Sequence, residues 1–159
     1  MNLILEKSSK MPFHTDMNLV FQAINNSQLN YNWLITDIAC NAYNEIWPDD
    51  TSRPVWRSGA ELTRIVQKRR IQFIWGVFSA FEKDVQIDLG KLLVTPYADG
   101  NPDFWRGNPK IQYPGAQMEI VCWDSTATLL ITEDEKISND FKLFFPDAED
   151  LRKINELEY

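Results

Sequence analysis

Residues 71–78 read Ile-Gln-Phe-Ile-Trp-Gly-Val-Phe, a run that is apolar at almost every position. A strand with apolar side chains on both faces is typical of the interior of a sheet that is covered on both sides. The stretch is also rich in the aromatic and β-branched residues that favour strands. We therefore predict that 71–78 forms a central strand, and the rest of the fold is built outward from it.

Three other segments predict further strands. Residues 117–123 and 127–132 are β-rich runs separated by Asp-Ser-Thr at 124–126, which predicts an antiparallel hairpin. Residues 31–39 have the aromatic and β-branched composition of a buried strand. Residues 85–89 alternate apolar with polar side chains and predict a half-exposed strand that ends near Gly90.

Helical signals lie on both sides of this strand-rich middle. Ser58 followed by Glu61 is a capping box, in which each side chain bonds the backbone N–H of the other residue at the start of a helix. The predicted helices are 15–26, a helix that begins after Ser58, a segment that includes 137–144, and a last helix capped by Asp147. We predict a single α+β domain over residues 1–159, with one mostly antiparallel sheet of about five strands and helices packed against it.

The composition bounds the class of protein. An apolar fraction of 44% and an aromatic fraction of 13% predict a chain that folds. No run of about 18 apolar residues is present, and residues 1–10 become charged too early for a secretory segment, so we expect no membrane and a cytoplasmic location. Cys40 and Cys122 each lie in an apolar stretch, where we expect free thiols in the core.

The net charge of −7 argues against nucleic acid as a partner, because phosphate binding needs an excess of Lys and Arg. The charge is uneven: residues 53–70 hold six cations and one acid, and residues 133–159 hold nine acids and four cations. Two interpretations stay open. The two segments attract each other within the fold, or the acidic surface docks a basic protein.

The residues that most hydrolytic or metal chemistry needs are scarce. His14 is the only histidine, which leaves no His-rich zinc site and no paired-histidine mechanism. The segment 99–103 imitates the start of a calcium loop, but Phe104 stands where that loop needs Gly, and Lys110 stands where it needs Glu. We expect no metal, no cofactor and no catalysis.

A pair of carboxylates supports an alternative function. Glu119 and Asp124 lie beside Trp123 in the sequence, and the aromatic residues Trp105 and Tyr113 lie on a long loop. These residues could form a small-ligand or carbohydrate-binding module or a weak hydrolase. The simpler interpretation is that Glu119 is a strand residue that points to solvent and that Asp124 begins a turn.

Two long loops, 41–57 and 97–115, carry large aromatic residues. Exposed loop aromatics are typical binding hot spots, whereas buried ones cap the core. The loop aromatics are Trp47, Trp56, Phe104 and Trp105. Combined with the neighbouring acids, they give the candidate partner-binding residues Trp47, Asp49, Asp50, Asp99, Asp103 and Trp105.

Three segments taken in order carry a resemblance. They are Tyr-Asn-Trp-Leu-Ile-Thr-Asp at 31–37, Phe-Ile-Trp-Gly-Val-Phe-Ser-Ala-Phe at 73–81 and Met-Glu-Ile-Val-Cys-Trp-Asp-Ser at 118–125. In these three segments and their order, the chain resembles small bacterial immunity proteins of polymorphic toxin systems. The resemblance implies a protein that binds and neutralises a cognate toxin, without a cofactor and without catalysis. The expected partner is a basic protein.

Overall fold

The structure, a computed structural model, describes residues 1–41 and 53–157. The strands within those residues are β1 (Leu3–Leu5), β2 (Tyr31–Cys40), β3 (Val55–Ser58), β4 (Phe73–Glu82), β5 (Met118–Trp123), β6 (Ala127–Thr132) and β7 (Glu149–Asp150). The helices are α1 (Met17–Ala23), α2 (Gly59–Lys68), α3 (Glu135–Phe144) and α4 (Leu151–Leu157). The strands form one sheet in the order β3-β2-β4-β5-β6-β1-β7, and every pairing is antiparallel. The predicted α+β class with an antiparallel sheet is confirmed, with seven described strands where about five were expected.

The strongest sequence signals fold as predicted. The apolar run 71–78 lies largely in β4, which sits inside the sheet between β2 and β5. The hairpin forms between β5 and β6, and a 10-residue strand covers the predicted segment 31–39. The capping box is complete, because Glu61 N donates to Ser58 Oγ at 3.2 Å and Ser58 N donates to the Glu61 carboxylate at 2.8 Å.

Other predictions are wrong. Residues 85–89 form no strand, although Val85 and Ile87 alternate with exposed neighbours as the pattern indicates. Both edges of β4 are already paired, so the two side chains cover the sheet from a loop, next to Leu34 and Phe81. The alternation of apolar and polar residues therefore indicates only that every second side chain is half-buried. A loop that covers the sheet can produce this pattern as well as a strand can.

The sequence analysis also did not predict the short strands or the residue at which the last helix begins. β1 and β7 have three and two residues, and β3 falls in the segment 41–57 that was predicted to be a loop. Asp147 does not cap the last helix, because Glu149 and Asp150 first pair with β1. Asp150 takes that role, as its carboxylate accepts from Arg152 N at 3.1 Å.

Helices α1, α2 and α3 cover one face of the sheet, which we call the helix face. Fully buried side chains from the helices and strands meet there, among them Phe21, Trp33, Phe78, Met118, Ile120 and Phe141. Cys40 and Cys122 are both buried in this core, and burial raises the pKa of the Cys122 thiol. Among the described helices, none is long and apolar enough to cross a bilayer.

Among residues 1–41 and 53–157, no comparable helix layer covers the opposite face. The segment 83–117 runs across it with one short 3-10 turn, Pro102–Trp105, and α4 packs at its far side. Side chains of this segment, including Ala98, Phe104 and Tyr113, bury against Val77, Val121 and Phe81 of the sheet. The sheet thus lies between a layer of helices and a layer of irregular chain, which we call the loop layer (residues 83–117).

Candidate functional site: a tryptophan cluster on a fixed loop layer

Three half-buried indoles meet at one end of the loop layer. Trp75 comes from β4, Trp105 from the 3-10 turn and Trp123 from the end of β5. The ring centroid of Trp123 lies 5.0 Å from that of Trp75 and 4.8 Å from that of Trp105, and both pairs are edge-to-face. Such contacts add about 0.5–1.5 kcal/mol each beyond the area they bury. We call Trp75, Trp105 and Trp123 the tryptophan cluster.

Both the sheet and the 3-10 turn Pro102–Trp105 position the indoles of the tryptophan cluster. Gly76 pairs with Cys122, which makes Trp75 and Trp123 neighbours on adjacent strands and on the same face. The third indole depends on the turn at residues 102–105, whose start is capped when Asp103 N donates to Asn101 Oδ1 at 3.0 Å. The turn sends Phe104 into the core, 1% exposed, and leaves Trp105 half-buried against Trp123.

Strand β2 holds one side of the loop layer. Its register with β4 shifts between Thr36 and Ala39, and Asp37 within the bulge has a left-handed φ of 53°. The Asp37 carboxylate accepts from Ala98 N at 2.7 Å and from Asp99 N at 2.9 Å, and Thr36 Oγ1 donates to Pro96 O at 2.6 Å. The bulge therefore turns two polar side chains toward the backbone of the covering loop.

Glu119 of β5 holds the middle of the loop layer and is 0% exposed. One carboxylate oxygen accepts from Ser79 Oγ at 3.0 Å and Tyr113 N at 3.1 Å, and the other accepts from Gln112 N at 2.9 Å. Burial raises the pKa of Glu119, and the hydrogen bonds to the carboxylate oppose that rise. Burial of a carboxylate is tolerated when its oxygens are bonded in this way.

The interpretation of Glu119 as a solvent-facing strand residue is wrong. Glu119 does alternate with Met118 and Ile120, which face the helices, but the face to which it points is covered by the loop layer. The carboxylate lies out of reach of a substrate, and its acceptor sites are occupied. Asp124 is exposed in the β5–β6 turn with a φ of 46°, so the two acids of the hydrolase alternative lie in very different environments.

Two buried asparagines hold the far side of the loop layer. Asn2 Nδ2 donates to Pro109 O at 2.6 Å and to Asn108 Oδ1 at 3.0 Å. Asn155 Nδ2 of α4 donates to Phe104 O at 2.9 Å and to Gly107 O at 3.0 Å. Residues 97–115, predicted to be a long loop, are therefore tied to Asn2, β2, β5 and α4 through polar side chains, of which the sequence analysis considered only Glu119 and for a different role.

The structure places the predicted partner-binding residues unevenly. Asp99 and Asp103 are exposed on the same loop as Trp105. Trp47, Asp49 and Asp50 lie outside the described residues. Trp75 and Trp123 were not among the predicted partner-binding residues, and Trp123 was considered only for the small-ligand alternative, because a tryptophan in a predicted strand is by default a core residue. Trp56, a loop aromatic in the sequence interpretation, is half-buried in β3 against Phe81, with ring centroids 5.7 Å apart.

A cleft of about 720 Å³ lies where β2 and β5 begin, at the end of the sheet opposite the tryptophan cluster. Its lining includes Asn2, Tyr31, Lys110, Tyr113, Gln117 and Glu133. Burial, and then the carboxylates of Glu82 and Asp134, raise the pKa of Tyr31. Within residues 1–41 and 53–157, no group of three or more His, Cys, Asp or Glu side chains is arranged to hold a metal ion.

Removal of the Asp37 carboxylate is expected to loosen the loop layer. Asp37→Ala leaves Ala98 N and Asp99 N without their acceptor and puts a less tolerant residue at a left-handed φ, so we expect a loss of about 2 kcal/mol of unfolding free energy. Urea denaturation followed by tryptophan fluorescence measures it. Asp37→Asn keeps an acceptor oxygen and tolerates the backbone, so it should lose about half as much or less. Equal losses in the two variants would contradict the role assigned to the carboxylate.

No protein-family model, no curated protein and no solved structure matches this chain in sequence or in fold.

Proposed function

We propose that this chain is a non-catalytic binding protein of the immunity type, which neutralises a cognate basic toxin through the tryptophan cluster and the acidic residues beside it. The observation that carries the proposal is the arrangement of the cluster. Three half-buried indoles gather on one surface, and the loop that presents Trp105 is fixed by buried polar bonds.

A fixed aromatic surface suits protein recognition for an energetic reason. Binding loses free energy whenever side chains and loops must become ordered, and a loop that is already held avoids most of that loss. Tryptophan offers a large contact area with few rotatable bonds, and it is enriched among the residues that dominate interface energies. The neighbouring indoles support each other, so Trp105 presents its free surface from a rigid base.

The charges beside the cluster favour a basic partner. Asp99 and Asp103 are exposed on the loop of Trp105, and Asp124 is exposed directly after Trp123. Acidic residues at the rim of an interface raise association rates with a cationic protein, and they do so most strongly at low salt. The net charge of −7 acts in the same direction.

Trp105→Ala is expected to weaken binding of the partner about 30-fold or more, as for a hot-spot residue. The partner is captured from the native host with the wild-type chain, and its affinity for each variant is measured by calorimetry. The captured protein, expressed alone in a bacterial host, should stop growth, and co-expression of wild-type chain but not of Trp105→Ala should restore it. Leu93→Ala is the matched control, because Leu93 lies on the same loop layer and is 75% exposed.

A charge control separates steering from contact. Asp99→Asn with Asp103→Asn should slow association at low salt, and Asp84→Asn with Asp147→Asn changes the net charge equally at exposed acids elsewhere. The proposal fails if no captured protein depends on Trp105, or if the captured protein is harmless when expressed alone.

A carbohydrate or other small-ligand module remains the alternative from another class, since tryptophans also serve as stacking platforms. Titration of the intrinsic tryptophan fluorescence with panels of sugars and nucleotides separates the two. A saturable response that Trp105→Ala removes would favour the alternative.

A further inference from the structure

The charges of the helix face are divided between its two outer helices, with basic residues in the second half of α2 and acidic residues at the start of α3. α2 packs over β2 and β3, α3 packs over β6, and α1 contacts both helices from the position between them. α1 reads Met-Asn-Leu-Val-Phe-Gln-Ala and has no charged side chain. The neutral helix α1 therefore lies between the basic segment around α2 and the acidic segment around α3.

The direction of the two outer helices follows from the strand register. Trp33, Ala80, Met118 and Thr132 form one row across β2, β4, β5 and β6. α2 starts beside this row, because it follows Ser58, which pairs with Asn32. α3 starts there too, because it follows Thr132 by a short turn. α2 and α3 therefore begin at the same end of the sheet and run parallel, with α1 between them.

The charges lie at opposite ends of these two parallel helices. Arg64 and Lys68 are one turn apart on the exposed side of the second half of α2. Glu133 and Glu135 are exposed at the start of α3. Among the described residues, the side chains of these four make no hydrogen bond or ion pair. Lys136, which lies beside the two glutamates, is already paired with Asp140 at 2.6 Å.

We propose that the helix face is a docking surface for a second copy of this chain, related to the first by a two-fold axis that lies in the interface between the two α1 helices. If this axis runs diagonally across the helices, it places the far end of α2 of one copy opposite the near end of α3 of the other. Arg64 and Lys68 of each copy then face Glu133 and Glu135 of the other, so the same attraction is made twice. The uncharged α1 of each copy meets its counterpart at the centre, where like charges would repel.

The size of this surface sets the strength of the association. Three helices of 7 to 10 residues offer a small, mostly polar area, and interfaces below about 1,200 Å² are typical of weak and transient contacts. Exposed charge pairs are screened by salt over about 8 Å at physiological ionic strength. The dimer is therefore weak and sensitive to salt. The tryptophan cluster is on the opposite face of the sheet, so this association leaves the surface of the proposed function open.

Sedimentation velocity tests the proposal on the whole chain over a series of concentrations at about 50 mM and about 500 mM NaCl, where the screening length differs several-fold. Wild-type chain should dimerise with rising concentration at the lower salt and be mostly monomeric at the higher. Arg64→Glu with Lys68→Glu, and separately Glu133→Lys with Glu135→Lys, should each weaken dimerisation about tenfold or more. An equimolar mixture of the two variants should regain dimer, because the reversed charges again face opposite ones.

A further variant controls for the change in net charge. Lys91→Glu with Arg106→Glu makes the same change in net charge as Arg64→Glu with Lys68→Glu, but at exposed residues of the loop layer, and this variant should dimerise like wild type. Circular dichroism of each variant verifies that it is folded. A wild-type chain that stays monomeric at low salt, or a mixture that does not regain dimer, overturns the proposal. A monomeric chain that binds single-stranded DNA through Arg64 and Lys68 overturns it in favour of a phosphate-binding surface.

Discussion

Glu119→Ala is expected to lose about 4 kcal/mol of unfolding free energy, because two buried donors and one partly buried donor then have no acceptor, and each unsatisfied buried donor costs about 1–3 kcal/mol. These donors are Ser79 Oγ, Gln112 N and Tyr113 N. Two of them belong to the loop layer, so the loss should be accompanied by faster hydrogen exchange in residues 97–115. Urea denaturation gives the free energy, and exchange read by mass spectrometry gives the location.

Glu119→Gln is the matched control for volume. It keeps one acceptor oxygen but turns an NH₂ group toward a backbone donor, so we expect a smaller loss of about 2 kcal/mol. If both variants were as stable as wild type, the carboxylate would not be holding the loop layer.

The difference in unfolding free energy between wild type and Glu119→Gln should depend on pH, with a sign that follows from the burial of Glu119. Since burial raises the pKa of Glu119, the native chain binds a proton at higher pH than the unfolded chain does. The contribution of this group to stability is then complete below the pKa of the unfolded chain, about 4.3, and is lost as the pH rises through the native pKa. The stability gap between wild type and Glu119→Gln should therefore widen on acidification from pH 7. A narrowing gap would mean that the three hydrogen bonds outweigh burial.

Gly59→Ala is expected to destabilise the chain by about 3 kcal/mol or more, although alanine is the better helix former by about 1 kcal/mol. A Cβ at Gly59 would lie 1.9 Å from Gln28 O and 2.8 Å from Gln28 C, both of which are backbone atoms. That carbonyl also accepts from Trp33 Nε1 at 3.1 Å, so it cannot move without disturbing a fully buried tryptophan. Thermal and urea unfolding measure the effect.

Gly76→Ala is the control for this close approach. Its Cβ would meet a ring atom of Phe78 at 3.3 Å, which a small side-chain shift can relieve. We expect a change of about 1 kcal/mol or less. If Gly59→Ala were as mild, the contact between α2 and the turn at 27–30 would have to be looser than the structure has it.

The parts of the fold that were predictable from the sequence are those with local signals. The capping box at Ser58 and Glu61, the apolar run of β4 and the polar turn between β5 and β6 each specify an element within a few residues. β1 and β7 have no such signal, because strands of two or three residues exist only through the partners that they pair with.

The candidate site shows the same limit. Trp105, Asp99 and Asp103 could be selected as residues of a long loop, and two of the three are exposed. The side chains that hold this loop in place could not be recognised in that role from the sequence. Asp37 and Asn155 bond backbone groups 48 to 62 residues away, and Glu119 bonds the backbone of a loop that covers its face of the sheet. A polar residue in a strand indicates solvent only when nothing covers that face, and the covering layer is known only once the chain is folded.

The pairing of β1 has a consequence for how the chain is made. Leu5 pairs with Thr128 and Leu3 with Leu130, so this apolar strand has no partner strand until most of the polypeptide has been synthesised. At a synthesis rate of roughly 5–20 residues per second, this interval lasts on the order of ten seconds. During that time Leu3, Ile4 and Leu5 are accessible to the ribosome-associated chaperones that bind short hydrophobic segments of nascent chains.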